Sequence, residues 1–536
     1  MIRKPALLMD ILSHGAARTP DKTVLVHGDR NYSWAELDRL TDVIAVNLLK
    51  MGLTHGDKVA LNAPNIPEWL LAFFGLAKIG AVAVTLNVRF RQAELEYMLN
   101  QSEARGMISI GPLKSVFGEF DFVDYLGGLR SKFPGVTDYF FIGGLGEKGF
   151  PGARSFESLL AEPSAEDSAA LPRAKSKIKP DDPALIIYTS GTTGKPKGAV
   201  ITQKSLIASA YGQVIQTGMN ENDSMVMALP LNHVAGLTCA VNALLICGGK
   251  IILQPFFIPS EHLQLCYRHN PTILGGVTTM IVFCFKDPSF KPELLQSARL
   301  AMTGGSNVEP WLMEEMIKHF PRCKTINLYG LSECSGGVIM STLEDDRETL
   351  LSSIGRPLAG HSVKTVDQNL KELPTGEIGE LMVAGDAVTA GYYNSPQATS
   401  ETFRPEGLLT GDMGYLDARG YVYLKGRKKE MYIQGGYNIY PVEIENLLTQ
   451  HPKVRLAAGF GVPDRDLGEI GRFYIVKNPG VELTKEELAD FLKKHVANYK
   501  IPRQFVFVDE LPLTPSGKVA KSLLREQYLK QSTAEV

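Results

Sequence analysis

The sequence is poor in several features that would set it apart from an ordinary globular enzyme. Its 536 residues contain only six cysteines, which form no CxxC pair and no zinc-ligand spacing. A disulfide framework and a zinc site are therefore not predicted, and the cysteines are expected to be reduced thiols in the cytoplasm. Lysine plus arginine (56) nearly balance aspartate plus glutamate (58). This balance argues against a nucleic-acid partner and favours a small-molecule partner.

A long apolar run is also missing. The most apolar stretch extends from residue 69 to 84, but Lys78 and Gly80 interrupt it. The stretch therefore predicts a buried helix over 68–79 followed by a strand over 81–86. No integral membrane segment is predicted.

The overall pattern favours an α/β fold. Hydrophobic residues make up 44% of the chain and charged residues 21%, as in a folded protein, and helical and strand patterns alternate. We predict a large N-terminal domain over residues 1–425, with mixed sheets packed by helices. A compact α+β pattern of about a hundred residues then predicts a small, mobile C-terminal domain over 426–536. Its elements are predicted at 442–448 (helix), 456–462 (strand), 472–476 (strand), 484–487 (capping box and helix) and 504–508 (strand).

Short-range signals place other elements. Ser33 and Glu36 form a capping box ahead of apolar residues spaced as on one face of a helix. The polar segment 161–183 predicts a surface connection, and it leads into a short apolar run at 184–188 that predicts a buried strand.

The stretch YTSGTTGKPKGAV at 188–200 combines hydroxyls, glycines and lysines directly after that strand. Glycines let the backbone approach a ligand closely, and hydroxyls and lysines bind phosphate. The Walker pattern fails because Pro196 follows Gly194 and Lys195. A mobile surface loop is the alternative interpretation of such a run. The predicted phosphate-binding residues are Thr189, Ser190, Gly191, Thr192, Thr193, Gly194 and Lys195.

Further motifs follow this loop in a definite order. They are GGS at 304–306, NLYGLSE at 327–333, TGD at 410–412, GRKK at 426–429 and LTPSGK at 513–518. One such motif is easily matched by chance, whereas the ordered set is not. The set resembles the acyl-adenylate-forming, AMP-binding superfamily: acyl-CoA synthetases, peptide-synthetase adenylation domains and luciferases. The resemblance extends from residue 32 to residue 518 and is strongest to the branch of fatty-acid and aryl-acid CoA ligases.

The resemblance implies a site for ATP. Tyr329 offers an aromatic face and Asn327 an amide for the adenine ring, and Asp412 offers a carboxylate that accepts hydrogen bonds from both ribose hydroxyls. Taken alone, Tyr329 is more typical of a core aromatic and Asp412 of a turn. The implied nucleotide-binding residues, besides the loop, are Gly304, Gly305, Ser306, Asn327, Tyr329, Gly330, Asp412 and Arg427.

The resemblance also implies catalytic roles. Glu333 is similar to the family's Mg²⁺ ligand, with Thr189 as a second oxygen. Lys518 would stabilise the negative charge that builds up when a carboxylate attacks the α-phosphate, although an isolated lysine in such a turn is usually a surface residue. Ser332 stands where the family usually has threonine and keeps the hydroxyl. The implied catalytic residues are Lys518, Ser332, Glu333 and His233.

Two C-terminal motifs imply a second half-reaction. Residues 426–429 resemble the family hinge, with Lys429 at the pivot, and residues 434–441 resemble the loop that replaces the Lys518 segment after the small domain rotates. Paired glycines would leave room for the pantetheine arm of CoA, and a plain β-turn is the alternative. The implied CoA-binding residues are Gly435, Gly436 and Tyr437.

By resemblance, the walls of the acyl pocket come from 233–239, 275–281, 302–307 and 330–338, and none of these segments contains lysine or arginine. A substrate with a second carboxylate is therefore disfavoured, because a buried anion needs a partner. The implied pocket residues are His233, Val277, Thr278, Met302 and Val338, of which His233 has the alternative of a core histidine. The polar residues Thr278, Thr279, Cys239 and Ser335 would either bind a substrate hydroxyl or carbonyl, or bond to the backbone.

We therefore predict an ATP-dependent acyl-CoA synthetase: carboxylate plus ATP gives acyl-AMP and pyrophosphate, and CoA then gives acyl-CoA and AMP. The chain contains no phosphopantetheine attachment motif, which favours free CoA as the acceptor. A ligase that loads a separate carrier protein and a luciferase-like oxygenase are the alternatives. A non-catalytic nucleotide-binding protein is disfavoured because Lys518, Glu333 and Asp412 are all retained. The acid itself and the oligomeric state, a homo-oligomer included, stay open.

Overall fold

The computed structural model describes residues 2–115, 118–146, 149–189, 195–305, 308–513 and 519–534. These residues form sheets of nine, seven, five, five and two strands, with helices packed between and around them. The large N-terminal part is mixed α/β and the last part is a smaller α+β unit, as the alternation of patterns predicts. None of the helices in these ranges is both long and apolar enough to cross a membrane.

The α-helices of the described chain are α1 Leu8–Arg18, α2 Trp34–Lys50, α3 Pro67–Ala77, α4 Gln92–Gln101, α5 Phe122–Leu129, α6 Ala165–Ser168, α7 Ala170–Lys175, α8 Gln203–Thr217, α9 Ala243–Cys247, α10 Pro259–His269, α11 Thr278–Lys286, α12 Pro310–His319, α13 Arg347–Ser352, α14 Pro396–Thr402, α15 Pro441–Gln450, α16 Lys485–Lys493 and α17 Lys521–Ala534. A π-helix spans Ala235–Asn242. Single 3₁₀ turns lie at Arg130–Lys132, Phe156–Leu159, Pro292–Leu294, Ser332–Cys334 and Asn498–Lys500.

The strands of the N-terminal part are β1 Thr23–His27, β2 Arg30–Ser33, β3 Lys58–Asn62, β4 Val82–Thr85, β5 Gly106–Ile110, β6 Pro112–Ser115, β7 Gly118–Asp121, β8 Asp138–Ile142, β9 Ala153–Ser155, β10 Pro183–Thr189, β11 Lys197–Thr202, β12 Ser224–Met227, β13 Lys250–Leu253, β14 Ile273–Val277, β15 Leu300–Gly304, β16 Lys324–Leu331, β17 Gly336–Met340, β18 Arg356–Pro357, β19 His361–Val366, β20 Gly379–Gly385, β21 Phe403–Arg404, β22 Gly407–Leu416 and β23 Val422–Arg427. The strands after these are β24 Tyr432–Gln434, β25 Tyr437–Ile439, β26 Val454–Asp464, β27 Gly468–Lys477 and β28 Gln504–Val508.

Two large sheets form the core of the N-terminal part. The nine-stranded sheet has the order β18-β17-β16-β15-β14-β12-β13-β1-β2, and the seven-stranded sheet has the order β11-β10-β4-β3-β5-β8-β9. The central strands of both sheets pair in parallel. Antiparallel strands lie at both edges of the nine-stranded sheet and at the β11 edge of the seven-stranded sheet, whereas β9 pairs with β8 in parallel. Parallel strands need helical crossovers, which cover both faces and explain the continuous apolar runs.

Helix α3 accounts for the most apolar stretch of the sequence. Nearly all of its residues are buried, and the following Lys78 side chain is 0% exposed. The Lys78 ammonium lies 2.6 Å from Asp38 Oδ1 and 2.7 Å from Asp42 Oδ1, both on α2. A buried charge of this kind is tolerated because it is paired, so this lysine belongs to the core, and the stretch forms the helix and strand predicted from it.

Most of the locally signalled elements form as predicted. Ser33 caps α2, because its hydroxyl accepts a hydrogen bond from the Glu36 amide at 3.2 Å. The predicted strands at 184–188 and 504–508 lie within β10 and coincide with β28. The 161–183 connection differs in detail, since it contains the short helices α6 and α7. Ser164 begins α6 by accepting from the Asp167 amide, a cap that the composition of the segment alone did not indicate.

The last part of the chain is an α+β unit around the sheet β25-β24-β27-β26, with β28 beside β27. Successive residues of β27 face opposite sides. Phe473 and Ile475 pack with α15 and α16, and Tyr474 packs on the other side against Leu524 of α17. The small C-terminal unit is therefore confirmed. Strand β23 continues to Arg427 and pairs with β22, so the boundary between residues 425 and 426 stays a prediction.

Candidate active site

The candidate site lies where β14, β15 and β16 end together. These strands are parallel, and Val277, Gly304 and Leu328 lie side by side at their carboxyl ends. Binding sites of open α/β sheets lie at this edge. The predicted acyl residue Val277 and the predicted nucleotide residues Gly304 and Tyr329 therefore come together at one edge of the nine-stranded sheet.

The glycines of this edge occupy positions that no larger residue fits. A Cβ atom on Gly304 would lie 2.0 Å from the Leu328 carbonyl oxygen, and one on Gly330 would lie 2.0 Å from the Gly336 carbonyl oxygen. Gly305 has φ +78°, a left-handed conformation. At Gly304 and Gly330 the backbone of the neighbouring strand occupies the space that a side chain would need. Of the GGS motif, Ser306 lies outside the described residues.

Replacing Gly330 with alanine is expected to destabilise the fold by about 1–3 kcal/mol, because β16 and β17 must move apart to admit the methyl group. The free energy of unfolding in denaturant measures this. Gly128→Ala is the matched control, since its Cβ would meet nothing within 4 Å, and we expect it to be neutral or slightly stabilising. Equal stability of Gly330→Ala and wild type would contradict the close approach of the two strands.

Tyr329, Asp412 and Arg427 form one network around the buried Asp412 carboxylate, with the Arg427 side chain 55% exposed. The Tyr329 hydroxyl donates to Asp412 Oδ2 at 2.6 Å, and Arg427 Nε lies 2.6 Å from Asp412 Oδ1. The last two residues are opposite each other on β22 and β23. Burial and the Asp412 carboxylate hold the pKa of Tyr329 well above its ordinary value, so the phenol keeps its proton. Burial opposes the charge of Arg427, but Asp412 outweighs it and raises the pKa of the guanidinium.

This network brings together residues predicted separately for adenine and for ribose. Asp412 and Arg427 are adjacent, as the resemblance implies for two groups on one sugar. The hydrogen bond from Tyr329 to Asp412 is not implied by the resemblance, which gives Tyr329 only an aromatic face for the adenine ring. Asn327 is buried at 5% exposure one strand position before Leu328, and its backbone amide donates to the Ser341 hydroxyl at 3.1 Å.

A second cluster surrounds Glu333. The Tyr392 hydroxyl donates to Glu333 Oε1 at 2.7 Å, and the Thr189 hydroxyl lies 3.5 Å from the same oxygen. The Glu333 carbonyl accepts from the Thr389 amide at 3.0 Å, which fixes this turn against the segment carrying Tyr392. Sequence reasoning paired Glu333 with Thr189 but missed Tyr392, which no motif spacing indicates. Ser332, buried at 7% exposure, begins the same 3₁₀ turn.

The predicted phosphate loop begins and ends in this cluster. Strands β10 and β11 form an antiparallel pair in which Thr189 lies opposite Lys197, so the residues between them connect the two strands. Ser190, Gly191, Thr192, Thr193 and Gly194 lie outside the described residues. After the loop, the Lys195 ammonium lies 5.8 Å from the centre of the Tyr97 ring and that of Lys197 lies 5.2 Å from the Tyr392 ring. Two cations therefore follow the loop.

His233 lies at the start of the π-helix Ala235–Asn242. Its carbonyl accepts from the Gly236 and Leu237 amides at 3.1 and 3.0 Å, and its Nδ1 accepts from the Ala235 amide at 3.2 Å. The ring is partly exposed, which does not fit a fully enclosed core histidine. π-Helical turns often occur at functional sites, and in this one the Asn242 side-chain amide donates to the Leu237 carbonyl at 2.9 Å.

The predicted acyl walls are mainly apolar. Val338 on β17 is 0% exposed and Met302 on β15 is 9% exposed, while Val277 and Thr278 lie at the junction of β14 and α11. The Ser335 hydroxyl donates to the Ala387 carbonyl at 3.0 Å, so this serine bonds to the backbone. Gly275, Gly276 and Met280 also border an apolar cavity of about 60 Å³.

The predicted CoA loop is a tight hairpin between β24 and β25. Gly435 and Gly436 have φ +58° and +87°, the two positive values that a two-residue type I′ turn requires. The neighbouring Tyr437 is 56% exposed and stacks on Tyr499 with the ring centres 4.3 Å apart. The plain turn considered for these glycines is therefore their local geometry, and the binding of CoA stays a prediction.

Contacts tie the small unit to the large one near the predicted hinge. Lys428 donates to Glu380 Oε2 at 2.7 Å, and the Thr449 hydroxyl donates to Glu309 Oε2 at 2.8 Å. Burial and the nearby charge of Lys197 lower the pKa of Lys429, the predicted pivot. Lys518 lies outside the described residues.

Comparison with known proteins gives the family. Residues 12–393 match the AMP-binding enzyme family, and residues 443–518 match the AMP-binding enzyme C-terminal domain. A 3-[(3aS,4S,7aS)-7a-methyl-1,5-dioxo-octahydro-1H-inden-4-yl]propanoyl:CoA ligase of Rhodococcus jostii is 32% identical over 98% of this chain and 100% of that protein. A medium-chain fatty-acid–CoA ligase of Escherichia coli is 30% identical over 99% of this chain and 92% of that protein.

Comparison with solved structures supports the same family. The anthranilate CoA ligase AuaEII in complex with anthranoyl-AMP has a TM-score of 0.87 at 26% identity, covering 99% of both chains. ATP-bound MatB from Rhodopseudomonas palustris has a TM-score of 0.84 at 29% identity, covering 97% of this chain and 99% of that one. The predictions of superfamily, of fold class and of AMP-forming acid–thiol ligation are thereby confirmed, and ATP and CoA fit the family as substrates. The chain belongs to the AMP-binding enzyme family and is an acyl-CoA ligase of its AMP-forming kind.

Proposed function

We propose that this ligase activates an apolar carboxylic acid without a second carboxylate, in two half-reactions that share one nucleotide site. The observation that carries the proposal is the pair of neighbouring networks, Tyr329–Asp412–Arg427 and Thr189–Glu333–Tyr392. The first offers hydroxyl-binding and aromatic groups for a nucleoside. The second offers oxygen ligands beside a loop that is followed by Lys195 and Lys197, which suits a polyphosphate.

In the first half-reaction a carboxylate oxygen of the acid attacks the α-phosphorus of ATP. A bond forms between this carboxylate oxygen and the α-phosphorus. The bond between the α-phosphorus and the α–β bridging oxygen breaks, and pyrophosphate leaves with its electron pair. Lys518 and the Ser332 hydroxyl are the residues that we assign to the α-phosphate and to the incoming carboxylate, where two negative groups meet. His233, at the start of the π-helix, would shape the entrance for the acid.

Mg²⁺ is the cation that the donor set fits. Glu333 and Thr189 offer hard oxygens, and Mg²⁺ is commonly held by one or two carboxylates together with substrate phosphates. Among the described residues no group of three or more His, Cys, Asp or Glu side chains converges on a metal position. When bound, the ion would neutralise charge on the pyrophosphate leaving group. Tyr392 would hold the Glu333 carboxylate in place for it.

In the second half-reaction the CoA sulfur attacks the acyl carbon, the bond to the phosphate oxygen breaks, AMP leaves and the thiol proton is released. We propose that the domain of residues 426–536 rotates about Lys429 between the two steps and brings Gly435, Gly436 and Tyr437 to the site. The Thr449–Glu309 hydrogen bond crosses between the two domains and would break in that rotation. One small domain would then serve both steps.

The acid is constrained by the pocket and by the relatives. Met302 and Val277 favour an apolar body, whereas Val338 is fully buried in a core cluster with Leu381 and Val383. No lysine or arginine stands in the proposed walls. The relatives named above act on a bicyclic dioxo acid and on medium-chain fatty acids, and others carry the names feruloyl-CoA synthase and long-chain-fatty-acid–CoA ligase. We propose a cyclic or medium-length acid. All six cysteines are free, which supports the cytoplasm as its compartment.

The test is AMP release from ATP and Mg²⁺ over a panel of straight-chain, cyclic and aromatic carboxylic acids, each with and without CoA. Thioester formed in step with AMP, and only when CoA is present, is the expected result. Acid-dependent pyrophosphate exchange that CoA does not accelerate would instead point to a carrier protein as the acceptor. Oxygen uptake with the acyl adenylate would point to an oxygenase.

Replacing Asp412 with asparagine tests the nucleoside network. We expect the KM for ATP to rise by about 10- to 100-fold, because a charged acceptor shared by Arg427 and the ribose is lost, with a smaller change in kcat. Calorimetric titration with ATP measures the same loss without turnover. Asp386→Asn, at an exposed carboxylate, is the control and should bind ATP as wild type does. Unchanged ATP affinity in Asp412→Asn would remove Asp412 from the nucleotide site.

A further inference from the structure

A cavity lies where the segment before α1, α1 itself and the end of α9 meet, and we call it the α1 cavity. Its volume is about 210 Å³. For comparison, an engineered apolar cavity of about 150 Å³ in another protein is large enough to bind benzene. Arg3, His14 and Arg18 line the α1 cavity and are exposed to solvent, so it opens at the surface. The α1 cavity therefore has room for a small organic molecule and a way in.

The inner wall of the α1 cavity is apolar. Ile11 of α1, Leu245 of α9 and Trp34 at the start of α2 line it, and all three are buried. The Trp34 ring packs directly against α1, because a Cβ atom on Gly15 would lie only 2.2 Å from Trp34 Cε3. This wall would bind the apolar part of a ligand by removing it from water.

The mouth of the α1 cavity is cationic. Its lining contains the four basic side chains Arg3, His14, Arg18 and Lys22 but one carboxylate, Glu221. Arg18 forms an ion pair with Glu221. Within the described part of the chain, the other three basic side chains take part in no ion pair. The lining therefore carries positive charge that the fold does not balance.

Lys22 is the innermost of these basic side chains. Its ammonium donates to the Gly248 carbonyl at 2.8 Å and to the Glu221 carbonyl, which are neutral partners. Burial, and then the charges of Arg18 and Lys250, lower the pKa of Lys22. A partly buried ammonium held only by carbonyls is stabilised when an anion comes close. An anionic group in the α1 cavity would supply that partner.

The α1 cavity is separate from the candidate active site. Lys22, Glu221 and Gly248 shortly precede β1, β12 and β13, which run in parallel, so the cavity lies at the amino ends of these strands. The candidate active site lies at the carboxyl ends of β14, β15 and β16, which are parallel to β12. The two sites are thus at opposite edges of one sheet, apart by at least the length of a four-residue strand, roughly 13 Å.

We propose that the α1 cavity is a second ligand site, which binds a small molecule with an apolar body and one anionic head group. The head group lies among Arg3, His14 and Lys22, and the body lies against Ile11 and Trp34. A neutral apolar molecule would leave the basic side chains without a counter-charge, and a bare inorganic anion would leave the apolar wall in water. The inference goes beyond the proposed function, because neither half-reaction uses this site.

The test uses the full-length enzyme without ATP, Mg²⁺ or CoA, and 8-bromooctanoate as the probe. Bromine quenches the fluorescence of a tryptophan that it contacts, and Trp34 is the one tryptophan of the three in the chain that lines the α1 cavity. We expect saturable quenching with a Kd of about 1 mM or lower, and loss of this quenching in Trp34→Phe. The neutral 8-bromooctan-1-ol should bind at least about tenfold more weakly, because it lacks the charge.

The double variant Arg3→Gln, His14→Gln removes the two exposed basic side chains that have no ion pair. We expect it to weaken octanoate binding, measured by calorimetric titration, by about tenfold or more. Lys4→Gln is the matched control, since Lys4 is paired with Asp386 at 3.6 Å and does not line the cavity, and its affinity for octanoate should be that of wild type. Octanoate and octyl phosphate, compared in the same titration, distinguish a carboxylate from a phosphate head group. Thermal unfolding checks each variant.

Three outcomes would overturn the inference. The first is the absence of saturable quenching in wild type, which does not depend on any variant. The second is equal affinity for 8-bromooctanoate and 8-bromooctan-1-ol, which would make the cavity merely apolar. The third is unchanged octanoate binding in the double variant, which would place the probe in the acyl site. If no acid supported pyrophosphate exchange while octanoate binding still depended on Arg3 and His14, the proposed function would fail and the second site would stand.

Discussion

Glu333→Gln is expected to lower the rate of acyl-AMP formation by about 100- to 1,000-fold, the usual cost of removing one electrostatic group from a transition state. The amide keeps the shape and the hydrogen bond that Tyr392 donates to Oε1, but it loses the charge that would hold Mg²⁺ near the leaving pyrophosphate. Acid-dependent pyrophosphate exchange measures the first half-reaction alone. We expect the loss to appear in kcat, and we expect the Mg²⁺ concentration that gives the half-maximal rate to rise.

The control is Glu344→Gln, an exposed carboxylate eleven positions along the chain, which should exchange pyrophosphate at the wild-type rate. If Glu333→Gln kept wild-type kcat and the same Mg²⁺ dependence, Glu333 would be a structural residue that only orders Tyr392 and the 3₁₀ turn. The circular dichroism spectrum and unfolding temperature separate this from a folding defect, because the substitution preserves volume and one acceptor.

Elements with local signals were predictable from the sequence. The capping-box pattern at Ser33 predicts the start of α2, and Ser33 is its N-cap. Strand β28 occupies the predicted range 504–508, because alternating β-branched and aromatic residues specify a strand. The predicted site residues Glu333 and Thr189 meet, although they are 144 positions apart, because the ordered motifs carry this information. Distance in sequence was therefore no obstacle where a motif existed.

Other parts of the site could not be predicted because their partners have no fixed spacing. Tyr392 contacts Glu333 through the packing of a loop on β11, where Ala199 bridges Tyr392. The π-helix arises from the packing of Ala235–Asn242 against β17 and α8, which no helical period indicates. Such features depend on tertiary contacts.

Lys518→Ala is expected to separate the two half-reactions. The rate of acyl-AMP formation should fall by about 100- to 1,000-fold, because the variant lacks the positive charge that reduces the repulsion between the carboxylate and the α-phosphate. Conversion of supplied acyl-AMP and CoA to thioester should stay close to wild type, since the proposed rotation about Lys429 carries the Lys518 segment away from the site before that step. Single-turnover measurements of each half-reaction give the two rates.

The control is Lys494→Ala, an exposed lysine of the same C-terminal unit, which should leave both rates unchanged. Equal losses in both half-reactions for Lys518→Ala would mean that one arrangement of the domains serves both steps, and the proposed rotation would be wrong. The Thr449–Glu309 hydrogen bond gives an independent check. If rotation occurs, Thr449→Val removes a contact present only in the orientation described here, and should shift the balance toward thioester formation without touching ATP or the acid.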